Sequence, residues 1–396
     1  MSEASVGKNA PKVQTRRRHA FAGFSAQECC VIGATQLLVH GFKAITLIRQ
    51  DSDFLTFYAS AFRARLGESM YFVGRNHNPP HFHALVSPLT YLPPAAAWLA
   101  WTVLSALVAL AVVRWVMRAS SMDWTPRARW ILAACLLNAA ATQATLRLGQ
   151  VSWIVGALVT GAWIAARNQR WRSAGMWAGT AIAVKPFLLV LLALMIVRRQ
   201  WRAAAWAIGA CIVMLTAGGL AFGWNNFEDW IRVLRTPPAT EYFQHLLNAS
   251  LMGFASRAGF PIPAAAAASA IVLLATAWRL RLIDEDRAWL LVLVAGLLAS
   301  PLGHMYYAPI FLGPIVVLIH EQRLRLRPWC IALFMFPPIG QTPFAMAPWL
   351  NLSFGSVYMW ALLGLWLSVL LARESVPSAT SSQAHSGFGA PVNNAA

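Results

Sequence analysis

The sequence predicts an all-α, polytopic membrane protein. It reads as a helical bundle of about twelve membrane segments, two of them the arms of a short hairpin, with interfacial helices in the loops of one face. Three observations carry this. Of the 396 residues, 58% are hydrophobic and only 12% are charged, with a mean hydropathy of +0.54. Apolar runs of bilayer length recur along the chain. Basic residues cluster between alternate runs, as the positive-inside rule requires of a multi-pass protein.

The segments fall at 28–48, 93–114, 129–146, 151–166, 173–184, 187–198, 203–222, 263–280, 288–301, 304–320, 328–347 and 355–372. The first is poor in apolar residues, since it holds Glu28, His40 and Lys43. With the basic residues before it, it reads as a signal anchor. The stretch 175–197, GMWAGTAIAVKPFLLVLLALMIV, is interrupted by Lys185-Pro186. Arg167, Arg170 and Arg172 precede it; Arg198, Arg199 and Arg202 follow it. One straight helix would put these clusters on opposite sides of the membrane. A hairpin puts both in the cytoplasm. The residue before a proline disfavours helix, and proline lacks a backbone donor, so the turn belongs at Lys185-Pro186. The tails, 1–20 and 374–396, lack the apolar residues to fold and read as disordered cytoplasmic segments. They leave 21–373 as one membrane domain.

Charge fits this topology. Twenty-two of the 32 basic residues fall in segments assigned to the cytoplasm, so both termini are expected there. The net charge of +18 is then explained by orientation and by contact with anionic membrane lipids. Nucleic acid is excluded as a partner, because no basic patch is interleaved with exposed aromatics. Ten basic residues remain on the outer face or within the membrane, Arg147, Lys185 and Arg257 among them. They fit an anionic ligand there, or scattered arginines tolerated in long loops. The five cysteines have neither metal-ligand spacing nor an obvious disulfide partner.

The polar constellations gather on one face. Two long outer loops run over 49–94 and 223–263, with the content expected of functional loops. Asp51 and Asp53 stand where the first segment meets that face. A carboxylate there serves as a general base, or as a helix cap. Lys185, held on a turn at the membrane face, is a candidate anion site. Gln150 and Asn248 suit hydrogen bonds to a ligand or loop capping, and His304 suits phosphate binding or a helix start.

These residues also carry a resemblance. The order Asp53, Tyr58, Ala61, Gly67, Tyr71 resembles the first-loop signature D-x4-Y-x2-A-x5-G-x3-Y of glycosyltransferase family 87. Pro79-Pro80 and Pro88-Leu89 fit the segment that follows. Leu148-Gly149-Gln150-Val151, Gly175 and Ala183-Val184-Lys185-Pro186 resemble its central block. Asn248-Ala249-Ser250-Leu251 with Arg257 resembles an N-x-S…R element, and Ser300-Pro301-Leu302 with His304 and Tyr306 a late SPL…H-Y element. The similarity covers about residues 45–320. The poorly apolar first segment with Lys43 is a departure from the family pattern.

The resemblance implies a GT-C-type fold. It also implies inverting transfer of a hexose, typically mannose, from a polyprenyl-phosphate carrier to a lipid or glycan acceptor on the non-cytoplasmic face of the cell membrane. No cofactor or metal is implied. Asp53, with Asp51 as alternative, would be the base. Lys185, Arg257, His304, Gln150, Asn248 and Tyr58 would hold donor phosphate and sugar. Two other classes fit the same composition: a secondary transporter, in which broken helices surround a central ionisable residue, and a non-catalytic subunit that binds lipid-linked glycans. The chain has no Walker loop and no G-x-G-x-x-G after a strand.

Overall fold

The computed structural model describes residues 52–71, 76–120, 125–126, 129, 132–133, 136, 139–236, 240–320, 326–335 and 347–372. Asp51, the expected first segment and both tails lie outside the described residues.

Helix α1 (Asp53–Arg65) opens the described chain. Two 3-10 turns, Pro80–Leu85 and Ser87–Tyr91, lead into α2 (Pro94–Ala119). Then come α3 (Ala140–Leu148), α4 (Ser152–Arg167) and α5 (Trp171–Val184). A 3-10 turn, Pro186–Leu189, joins α5 to α6 (Val190–Val197), and α7 spans Trp201–Phe222. Short helices α8 (Asn225–Arg235), α9 (Thr240–Gln244) and α10 (Leu251–Ala258) fill the second long loop. The rest are α11 (Ile262–Arg279), α12 (Glu285–Ala299), the 3-10 stretch Met305–Phe311 running into α13 (Leu312–His320), α14 (Arg327–Cys330), α15 (Pro348–Leu352) and α16 (Val357–Leu370). Among the described residues there is no strand, only an isolated antiparallel bridge between Asn248 and His304.

Among the described residues, four helices are long and apolar enough to cross a bilayer: Pro94–Ala119, Trp201–Phe222, Ile262–Arg279 and the run Pro348–Leu370. Ser152–Arg167, Pro186–Val197 and Met305–His320 are apolar but shorter. The expected count of about twelve is therefore not reached among the described residues. The physical reason is that packing and proline, not hydropathy, fix helix length here. Helix α12 is apolar all round because it lies inside the bundle: every residue from Asp286 to Leu297 is buried, with α11 and α16 packed on it. Pro186 and Pro309 each sit in a 3-10 turn that interrupts an apolar run.

The break at Lys185-Pro186 is real. Lys185 is extended, with φ −137° and ψ 98°, between α5 and the 3-10 turn. The packing of α5 on α7 shows what the break achieves. A Cβ on Gly175 would collide with the carbonyl of Ala203, and one on Gly179 with the carbonyl of Ala207. Small residues four apart let the two backbones touch, as in membrane helix pairs. The Cys211 thiol extends the contact by donating to the Gly179 carbonyl at 3.1 Å. The pairing advances in the same direction on both helices, so α5 and α7 are parallel. The chain between them must run back, and 185–200 is that return. The arginines before α5 and those before α7 consequently lie at one end of the bundle, and Lys185 lies at the other.

Candidate active site

Asp53 is placed by its neighbours. Ser52 caps α1 by accepting from the Leu55 amide at 3.3 Å, so the Asp53 carboxylate is not the cap. Phe54, fully buried, packs on Trp98 and Trp101. It also lies against Gly149, the left-handed C-cap of α3 at φ +67°, where a Cβ would collide with it. Only glycine meets both demands. The next residue, Gln150, is thereby set beside Asp53, and its amide donates to the carboxylate. Burial raises the Asp53 carboxyl above its ordinary 3.8, and the Gln150 hydrogen bond and the Lys185 charge offset this only in part.

Lys185 ends α5. Its ammonium donates to the side-chain oxygen of Asn78 at 2.7 Å. It also stands near the faces of Phe82 and Tyr307, 5.8 and 5.4 Å from their centroids. Burial lowers it from 10.5 to about 8, against the opposing pull of Asp53. Asn78 is itself fixed: the Tyr71 hydroxyl donates to its carbonyl at 2.6 Å, and the Asn76 side chain accepts from its amide at 3.1 Å. Asn76 in turn bonds Ser60 at 3.0 Å and His83 at 2.8 Å. His81 ties this loop to the α5 end, 2.7 Å from the Ala183 carbonyl.

The first-loop residues thus have physical tasks. Ala61 is buried, Gly67 takes the left-handed conformation after α1, and Tyr71 holds Asn78. Tyr58 is the exception. Its hydroxyl donates to the Leu92 carbonyl at 2.8 Å on the exposed side of α1. That bond joins α1 to the start of α2 and turns Tyr58 away from the ligand role expected of it.

The second wall comes from two loops that run side by side. The Ala249 amide donates to the Gly303 carbonyl at 2.9 Å, and the Met305 amide to the Leu247 carbonyl at 2.8 Å. His304 is stacked on Tyr306 at 4.9 Å and lies 6.2 Å from His245. Asn248 is fully buried, and its amide donates to the carbonyls of Phe243 and Pro301 at 3.3 and 3.2 Å. It clamps the loops, so the ligand-binding expectation for it gives way to loop capping. Arg257 donates to the carbonyls of His245 and Asn248, both at 3.1 Å, and to the Ser356 hydroxyl at 3.1 Å. Its second terminal nitrogen is buried with no partner among the described residues. Burial lowers the guanidinium to about 10, so it stays charged at neutral pH.

The structure therefore brings Asp53, Gln150 and Lys185 together, with His304 near enough to feel the Lys185 charge. Arg257 and Asn248 brace the wall that carries His304. Other acids of this face are engaged or exposed: Glu68 pairs with Arg63 at 3.0 Å, Asp229 with Arg232 at 2.9 Å, and Glu228 and Glu241 are exposed. No cluster of three metal-ligating side chains exists among the described residues. Asn76-His77-Asn78 falls in the long loop 49–94, and no role in the site is assigned to it from sequence. The signal available was two amides before Pro79-Pro80 in a chain otherwise poor in polar residues.

A helical bundle with several membrane-length apolar helices, and with a carboxylate, an amide and a lysine gathered at one end, defines a membrane protein with a part-buried polar site. The chain belongs to glycosyltransferase family 87, which matches it over residues 76–301. That match contains Gln150, Lys185, Asn248 and Arg257, while Asp53 lies before it and His304 after it. No curated protein matches the chain. It is a glycosyltransferase, and it takes a sugar donor and an acceptor.

Proposed function

We propose that this glycosyltransferase moves a hexose, mannose first among them, from a polyprenyl-phosphate carrier to a lipid or glycan acceptor, with inversion at the anomeric carbon. Asp53 takes the proton from an acceptor hydroxyl. The acceptor oxygen forms a bond to the anomeric carbon as the bond from that carbon to the phosphate oxygen breaks. Its electron pair leaves with the polyprenyl phosphate, which gains one negative charge. Lys185 stands where that charge develops, and fixed positive charge at such a point stabilises the transition state. Gln150 orients Asp53, Asn78 orients Lys185, and His304 offers a hydrogen bond to sugar or phosphate.

The observation that carries this reading is the meeting of Asp53 and Lys185 in one partly buried site, each held by an amide and each sensing the other's charge. A general base and a cation for a phosphate leaving group are what the reaction needs. The arginines at the opposite end support a cytoplasmic placement of that end and a non-cytoplasmic placement of the site. Reporters fused after Arg172 and after Arg202 should then both read cytoplasm.

The test is transfer in vitro. Membranes carrying the protein would receive radiolabelled polyprenyl-phosphate mannose and a panel of lipid acceptors. Label passing to an acceptor, and not in membranes carrying Asp53→Asn, supports the proposal. Transfer from a nucleotide sugar in place of the polyprenyl donor would overturn it.

A further inference from the structure

The end of the bundle away from Lys185 holds a second site. There the last turns of α2 and α4 and the first turns of α5 enclose a cleft of about 690 Å³, whose lining includes Trp115, Arg118, Arg167, Arg170, Ser173 and Trp177. Along α5 its nearest lining residue, Trp177, is eight residues from Lys185, about 12 Å at 1.5 Å per residue. The cleft takes no part in the proposed chemistry.

The charges of this cleft differ in what they are doing. Arg167 is engaged: it pairs with the buried Asp286 carboxylate at 3.3 Å and donates to the Ala119 carbonyl at 2.8 Å. Arg118 and Arg170 are exposed, and their guanidinium groups bond to no described residue. Among the described residues no carboxylate lines the cleft. Helix α5 begins at its rim without a side-chain cap, which adds free backbone amides and a partial positive charge.

The apolar surroundings point to the nature of the anion. The Trp177 indole lies over Gly161 and is 39% exposed. Tryptophan at the rim of a membrane protein marks the headgroup level. On α2, the exposed side chains Leu99, Val103, Leu107 and Leu110 recur at three- and four-residue spacing, and Arg114 and Arg118 continue the same stripe. One helix face thus runs from an apolar surface long enough for an acyl chain to a pair of arginines. A free anion would have no use for that stripe.

We propose that this cleft binds the headgroup of an anionic phospholipid, whose acyl chains lie along the exposed face of α2. The phosphodiester sits between Arg118 and Arg170, over the start of α5, and the tryptophans frame it. The site is independent of which sugar donor the enzyme uses.

The experiment is native mass spectrometry of the full-length protein in detergent, titrated with phosphatidylglycerol, phosphatidylcholine or inorganic phosphate. Wild type should bind phosphatidylglycerol in clear preference to phosphatidylcholine. An arginine near an anionic lipid surface is worth about fivefold, so Arg118→Gln/Arg170→Gln should weaken phosphatidylglycerol binding about twenty-five-fold. Arg235→Gln, at the other end, should leave it unchanged. Phosphatidylglycerol should also raise the Tm of wild type and not of the double variant. If the double variant fails to fold, each single variant should lose about fivefold. Unchanged binding in the variants overturns the proposal. So does displacement of the lipid by millimolar phosphate, which would make this a free-anion site.

Discussion

The ammonium of Lys185 donates to the side-chain oxygen of Asn78 at 2.7 Å, joining the hairpin turn to a loop 107 residues earlier in the chain. The contact fixes a flexible side chain at the point where a phosphate would sit. Asn78 is in turn held by Tyr71 and Asn76, so the lysine is positioned by a small network of buried amides and a phenol.

The first prediction tests that network. Asn78→Ala should raise the KM for donor about tenfold, the size of a lost hydrogen bond to a charged group, and leave the KM for acceptor unchanged. Steady-state kinetics with each substrate varied in turn would measure both. An equal rise for donor and acceptor would show that Asn78 acts through the fold and not through Lys185.

The second concerns pH. Asp53 works only deprotonated and Lys185 only protonated. The kcat/KM for donor should fall as pH drops through the raised pKa of Asp53, and fall again as pH rises through about 8, where Lys185 loses its proton. In kcat the alkaline limb should move upward, because bound phosphate favours the charged lysine. Lys185→Arg keeps the charge at all these pH values, so its reduced activity should lack the limb near 8. An alkaline limb that survives in Lys185→Arg assigns that titration to another group.

The third rests on the parallel packing of α5 and α7. Gly179→Leu would force a side chain into the Ala207 carbonyl, at a cost of about 1–3 kcal/mol or more. Gly209, on α7, has no atom near the place of a Cβ. Gly209→Leu should therefore melt like wild type, while Gly179→Leu should express poorly and melt earlier. Equal Tm values for the two variants would contradict the packing.

Some of this was legible in the sequence, for identifiable reasons. Lys185-Pro186 between two arginine clusters announces a return of the chain, because charge asymmetry and proline are local signals. Gly149-Gln150 could be singled out, but why a glycine stands there could not, since that depends on Phe54 lying against it. Asn78, Phe82 and Tyr307 were missed as neighbours of Lys185, because contacts across a hundred residues leave no periodicity. Tyr58 and Asn248 were expected at a ligand and instead bond to backbone carbonyls. A hydroxyl or amide in a motif does not show which acceptor it will meet. The described residues hold four helices long and apolar enough to span a bilayer, which does not confirm the expected count of about twelve; hydropathy cannot separate a spanning helix from a short helix buried in a bundle, and α12 is the latter kind.

The last prediction concerns the base. Asp53 stands on the first turn of α1, released from capping by Ser52, beside the Gln150 amide and within reach of the Lys185 charge. Asp51 is its neighbour in sequence and lies outside the described residues. Glu68 and Asp229 are held in ion pairs on the same face. Replacing a base by its amide keeps shape and removes proton affinity, a loss of about 10²–10⁴ in rate. Asp53→Asn should therefore bind donor as wild type does and fold normally, yet show no detectable transfer in the radiolabel assay. Asp51→Asn should retain most activity. Gln150→Leu should fall between them, because it removes the orienting bond and leaves the carboxylate. An inactive Asp51→Asn beside an active Asp53→Asn would move the role to Asp51. Activity in both would send the search to Glu68, Glu228, Asp229 and Glu241, and would leave Asp53 as a partner that tunes Lys185.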